Sequence, residues 1–224
     1  SSAAGTAIDI GAGQTLTCRT NDCPATLEKR GAGRLILGAG FANDLSVTGG
    51  ELWLEKPFTT ASGTPLSALS LSANASVNLR GNAFTATQLS GSGTVSNGTV
   101  TVLSQIVPGT AGGAPQTLTV GGNLVLSSGT TIALDATAAA ADKIAVVGAL
   151  TLATNVQINA TFPQGTHLLG SYPLFTFGSL AEAQDLASWK ITVTPSGIYT
   201  VTLSQSANAI NIEFHPRGTM MFVR

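Results

Sequence analysis

The sequence predicts an all-β chain wound as a parallel β-solenoid, and three observations carry that expectation. Apolar and small polar residues alternate in short runs that end at Gly, Asn or Pro, the period of strands punctuated by turns. Three segments align with one another: LSVTGGELWL (45–54), LTVGGNLVL (118–126) and IAVVGALTL (144–152). Each reads as apolar-x-apolar, a glycine-centred corner, then apolar-x-apolar, and LSLSANASVNL (69–79) is a looser copy with Ala-Asn-Ala at the corner. The second and third copies start 26 residues apart, within the range of stacked-repeat folds. Glycine tolerates positive φ, so the chain can bend there and continue in the next sheet face. Inward Leu, Val and Ile then stack over their equivalents in the next turn, about 4.8 Å away. A β-sandwich also has short strands, but it does not need one corner motif recurring between strand pairs.

Along the chain, residues 1–30 form an N-terminal segment, 31–162 the repeat solenoid and 163–224 the C-terminal strands, all within one domain, 1–224. The pairs Leu118 and Val120, Leu124 and Leu126, Ile144 and Val146, and Leu150 and Leu152 are the expected core stacks. Helical patterning is confined to SLAEAQDLASW (179–189), a short segment suited to capping one end. GIYTVTLSQSANAINIEF then reads as two strands, Tyr199 to Leu203 and Ala209 to Phe214, joined by a polar turn. Tyr172, Trp189 and Tyr199 are expected to cover the core near that end. Pro216 and Gly218 interrupt the pattern. The apolar segment after them, Thr219, Met220, Met221, Phe222 and Val223, has three readings: a final core strand, a subunit exchange strand added to a neighbour's open edge, or a tail or sorting signal. AIDIG (7–11) has the alternation to be the receiving edge or a second exchanging strand.

Charged residues make up only 9% of the 224, against roughly 25% in an ordinary soluble domain, and the net charge is −1. Without a basic stripe, nucleic acid and anionic membrane surfaces are excluded as partners. Low charge favours association, so copies of the chain itself are the expected partner. No apolar run reaches the 18 or so residues of a membrane helix, so no transmembrane segment is expected. The opening SSAAGTAIDI lacks the basic end and apolar stretch of a signal peptide, which is consistent with a leader already removed. Cys18 and Cys23, in CRTNDC, suit a local disulfide, with two free thiols as the alternative. A disulfide implies an oxidising compartment.

The stretch GELWLEK (50–56) places Glu51, Trp53 and Glu55 on one strand face, opposite Leu52 and Leu54. The two glutamates stand about 13 Å apart along the backbone. Paired glycosidase carboxyls sit roughly 5–9.5 Å apart, so this spacing argues against catalysis. A solvated or interface face is expected, with a glycan-stacking surface as the alternative. GAGRLI and GSGTVS each miss the third glycine of a dinucleotide loop. His167 reads as a turn or surface residue and His215 as a strand end. Asp135 and Asp142, flanking ATAAAA, read as a solvated loop; a calcium ion wants more oxygens than they offer. No catalytic, cofactor or metal site is expected.

GAGRLILGAG (31–40) followed by LSVTGGELWL resembles the autotransporter-associated β-strand repeat of bacterial surface proteins. The stretch 118–162, with Asp-Lys-Ile-x-Val-x-Gly at 142–148 and GSYPLFTF at 170–177, is similar to the closing part of autotransporter passenger domains. The resemblance implies an exported right-handed parallel β-helix, extracellular or at the bacterial cell surface and adhesive or structural. It departs from that pattern in lacking a membrane barrel of amphipathic strands. The expected function is a self-associating subunit of a surface layer or filament. The alternatives are a surface adhesin binding glycans and, less favoured, a polysaccharide-processing enzyme. Thiol alkylation followed by mass spectrometry of freshly isolated protein should find Cys18 and Cys23 unlabelled; two labelled thiols refute the bond.

Overall fold

The computed structural model describes residues 6–19, 26–38, 44–56, 65–163, 168, 170–181 and 186–217. It is a parallel β-solenoid, as the corner repeats predict. Among the described residues the first three coils each supply two strands: β1 (Thr6–Asp9) and β2 (Thr15–Cys18), β3 (Thr26–Arg30) and β4 (Arg34–Leu37), β5 (Asp44–Val47) and β6 (Gly50–Leu54). A third face opens in coil four, where β7 (Leu66–Leu71) and β8 (Ala75–Asn78) run into the first half of β9 (Ala83–Gly91). Next come β10 (Thr94–Ser96), β11 (Thr99–Pro108), β12 (Thr117–Val120), β13 (Asn123–Leu126), β14 (Thr131–Asp135), β15 (Lys143–Leu152), β16 (Gln157–Thr161), β17 (Gly170–Leu180) and β18 (Lys190–Thr194). The long strands β9, β11, β15 and β17 each bend across a corner and serve two faces.

Face one stacks β1, β3, β5, β7, the second halves of β9 and β11, then β14, β16 and β18, all parallel. Face two stacks β2, β4, β6, β8, β10, β12, the start of β15 and the middle of β17. Its inward column runs Leu16, Leu35, Leu52, Val77, Val95, Val120, Val146, Phe177 in direct register. Face three aligns Phe84, Val100, Leu124, Leu150 and Leu180 in the same way. All eight expected core residues between Leu118 and Leu152 are buried, and the 26-residue offset is the true register: Leu118 over Ile144, Leu124 over Leu150. Each such side chain contributes about 1.5–3 kcal/mol by leaving water.

The aligned corner motifs do not turn the same corner. Those at 45–54 and 69–79 join face one to face two, whereas those at 118–126 and 144–152 join face two to face three. At the second corner glycine is required sterically: a Cβ on Gly122 would overlap the carbonyl oxygen of Gly98 one coil earlier.

Among the described residues of the helical segment expected near 179–189, Leu186–Ser188 form one 3-10 turn, while Ser179 and Leu180 belong to β17, where Leu180 continues the Leu150 column. The two strands expected after it are β19 (Tyr199–Gln205) and β20 (Ala209–Pro216), an antiparallel hairpin. Strand β20 also pairs antiparallel with β17, so this end of face two is closed by reversed strands. Edge-to-face contacts of Phe162, Tyr172, Tyr199 and Phe214, with centroids 5.3–6.2 Å apart, fill the space beneath. Tyr172, Trp189 and Tyr199 thus cover the core end as expected.

Leu124 lies between Val100 and Leu150 with no exposure. The variant Leu124→Asp buries an unpaired charge and should lose about 4 kcal/mol or more; thermal or urea unfolding matching the parent would show that this column does not hold the core.

Candidate interaction surfaces and buried charges

Glu51, Trp53 and Glu55 lie on the outer side of β6 and just after it, while Leu52 and Leu54 are buried, as the alternation requires. Trp53 is not an open platform. The guanidinium carbon of Arg34, from the preceding coil, stands 3.9 Å from its ring centroid, and that of Arg80, from the following coil, 4.9 Å. Both are within cation–π range. Arg34 also donates from Nε to Glu51 Oε2 at 2.7 Å, an exposed pair worth at most about 1 kcal/mol. A sugar ring stacking on Trp53 would first have to displace a guanidinium.

Cys18 ends β2 and is half-buried, and its expected partner Cys23 lies outside the described residues. His167 and Thr219, Met220, Met221, Phe222 and Val223 lie outside them too. His215 sits exposed near the end of β20, 3.2 Å from the Thr202 hydroxyl. Among the described residues no three His, Cys, Asp or Glu side chains come together to hold a metal ion.

Three buried charges stand at the corner between faces one and two. Lys29 follows Leu27 on the inward side of β3 and is fully buried. Its ammonium donates to the carbonyls of Gly31 (2.6 Å) and Gly49 (2.8 Å), two corner groups that have left the strand ladder. Burial pushes its pKa down, opposed by the carboxylates of Asp9 and Glu51. Gly50 lies against this ammonium at φ 66°, a conformation that suits glycine. Composition alone counts Lys29 as one scattered charge; its inward register is the signal that marks it.

Asp135 and Asp142, expected in a solvated loop, are instead buried. The physical reason is a set of corner N–H groups needing acceptors. Asp142 accepts from Gln116 N (2.6 Å) on one oxygen and from Asp135 N (2.9 Å) on the other. Asp135 accepts from Gly113 N at 3.1 Å. Between them the chain turns back on itself, with an Asp142 N to Asp135 O bond of 2.8 Å and an Ala136–Ala141 bridge. The two carboxylates therefore pin the 109–116 excursion to the 136–141 excursion of the next coil. Burial raises the pKa of Asp142 to about 6, against the lowering effect of its two backbone hydrogen bonds.

A concavity of about 570 Å³ lies along the outer side of face one and ends against the 109–116 excursion. Its floor carries Ser46, Ser70 and Ser90 in register, beside Gln88 and Gln105, whose amides bond at 2.9 Å. No family model matches the chain, and no curated protein matches it significantly.

The shift of Asp142 sets a pH dependence. The folded protein holds a proton that the unfolded chain has released between pH 3.8 and about 6. The stabilising contribution of that proton is complete at the acid end of the window and is lost as pH rises through it. Melting temperatures measured across that range should carry a falling component that Asp142→Asn removes. That variant keeps one acceptor and leaves a second backbone N–H without one, an unfolding free-energy cost of about 1–3 kcal/mol. An unchanged pH profile would overturn the assignment.

Proposed function

We propose that this protein is a non-catalytic structural subunit that associates with copies of itself by continuing the solenoid end to end, as part of an exported bacterial surface layer or filament. The observation that carries the reading is the pair of open edges at opposite ends of face one. Among the described residues β1 pairs only with β3 and β18 only with β16. Bonds from Ile10 N to Arg30 O and from Lys190 N to Val156 O direct the even-numbered groups inward along the stack. The alternate groups of Ala7 and Asp9, and of Ile191 and Val193, therefore face the open edges. Because both strands run in the same direction, β1 of one copy can extend the column below β18 of another without reversing polarity.

The apolar residues at these ends support the same reading. Leu16 terminates the face-two column and is 42% exposed, with no coil above it among the described residues. At the other end Ile191, Val193, Val201 and Leu203 are only half-buried against the core. Long exposed edges with apolar side chains promote strand addition unless charge or proline blunts them. The similarity of 31–54 and 118–162 to autotransporter passengers supports export, and the low charge supports close association.

The bond from Ile10 N to Arg30 O leaves the amide of Ala7 pointing to the open edge of β1. Proline there removes an edge donor and leaves the β1–β3 ladder intact. Electron microscopy and sedimentation of the purified parent should show regular filaments or sheets, and Ala7→Pro should remain dispersed with its melting temperature little changed. Dispersed parent protein, or assembly unaffected by the proline, would sink the reading.

A further inference from the structure

We propose that the groove on the outer side of face one is a binding site for a neutral, polyhydroxylated chain, an uncharged oligosaccharide. Its volume of about 570 Å³ falls in the roughly 300–1,000 Å³ range of small-ligand sites. Among the described residues that line it none is charged, although charged side chains lie nearby on faces one and two. An anionic ligand would find no cation there, and a cation no carboxylate.

The floor offers a different chemistry. Ser46, Ser70 and Ser90 stack at the strand spacing of about 4.8 Å, and each hydroxyl both donates and accepts. The Gln88 Nε2 to Gln105 Oε1 bond leaves the Gln88 carbonyl oxygen and the Gln105 amide nitrogen, one acceptor and one donor, to meet a ligand. A row of groups that alternately give and take hydrogen bonds matches sugar hydroxyls. A peptide strand is a poor fit, because the backbone beneath the floor is already paired on both sides.

The end wall is built as firmly as the floor. The 109–116 excursion is tied at Gly113 and Gln116 to the buried carboxylates of Asp135 and Asp142. Gly109 N bonds back to Gly91 O at 2.7 Å, closing the base of the wall against the floor. The earlier corners between the same two faces turn in a few residues; this one projects and is braced by the 136–141 excursion of the next coil. A braced wall across an uncharged groove holds its shape without ligand, which lowers the entropy lost on binding.

The test is isothermal titration of the full chain with cellohexaose, maltohexaose, chitohexaose and, as the charged control, hexagalacturonate. At least one neutral hexasaccharide should bind. Its association constant should fall at least tenfold in Ser90→Trp, which fills the groove, and stay within twofold in Trp53→Ala. If Ser90→Trp melts early, Thr110→Trp on the exposed wall tests the same occlusion. No binding by any neutral hexasaccharide, preference for hexagalacturonate, or loss only in Trp53→Ala would each overturn the proposal.

Discussion

Everything in this structure depends on satisfying the backbone at the corners. Along each face the ladder pairs the N–H and C=O groups of the interior strands, but a chain that turns must release some of them. A buried backbone group without a partner costs about 1–3 kcal/mol. This molecule meets the demand with single polar side chains chosen by sign. Where Gly31 and Gly49 present carbonyls, Lys29 donates; where Gly113, Gln116 and Asp135 present N–H groups, carboxylates accept. Neutral corners use neutral groups: the Asn82 amide donates to Leu54 and Leu79, the Thr130 hydroxyl to Ser127, and the Asn123 carbonyl accepts from Ala149. Replacing any of these side chains leaves a turn short of a partner, and the stacked columns rely on those turns for their register.

With the corners fixed, the apolar columns follow almost without choice. Each inward residue meets its equivalent one coil away, so local alternation becomes long-range order through one repeated contact. The same repetition explains why the two ends differ from the middle. An interior coil is covered on both sides, whereas among the described residues Leu16 and Ile191 are each paired across the stack on one side only. In the proposed assembly, association depends on how the ends are finished, and the proposed binding on what the outward positions repeat.

The columns were legible in the sequence because period two and recurring glycine corners are short-range signals. Leu118, Leu124, Ile144 and Leu150 could be assigned to the core and to a 26-residue register from spacing alone. Which corner each glycine motif turns could not be read, since glycine permits a bend without naming the faces it joins. Trp53 was visible as an outward residue, but Arg80, 27 positions later, covers it only because a coil intervenes. Asp135 and Asp142 looked solvated beside an alanine-rich stretch; the donors that bury them come from Gly113 and Gln116, in another coil. The groove was invisible for the same reason: its floor draws one or two outward residues from each of several coils.

The unequal lengths of the coils have a further consequence. Gln88 and Gln105 are neighbours across 17 residues, whereas Asn123 and Ala149 are neighbours across 26. The columns stay in register despite this difference, because extra residues are looped out at a corner, as at 109–116 and 136–141. Both excursions leave from the corner between faces one and two and lie side by side, the second bracing the first. That corner is a rail along which the protein can carry added sequence of varied length while the rod behind it keeps the same pitch. New surface chemistry can therefore be acquired one coil at a time, without renegotiating the core.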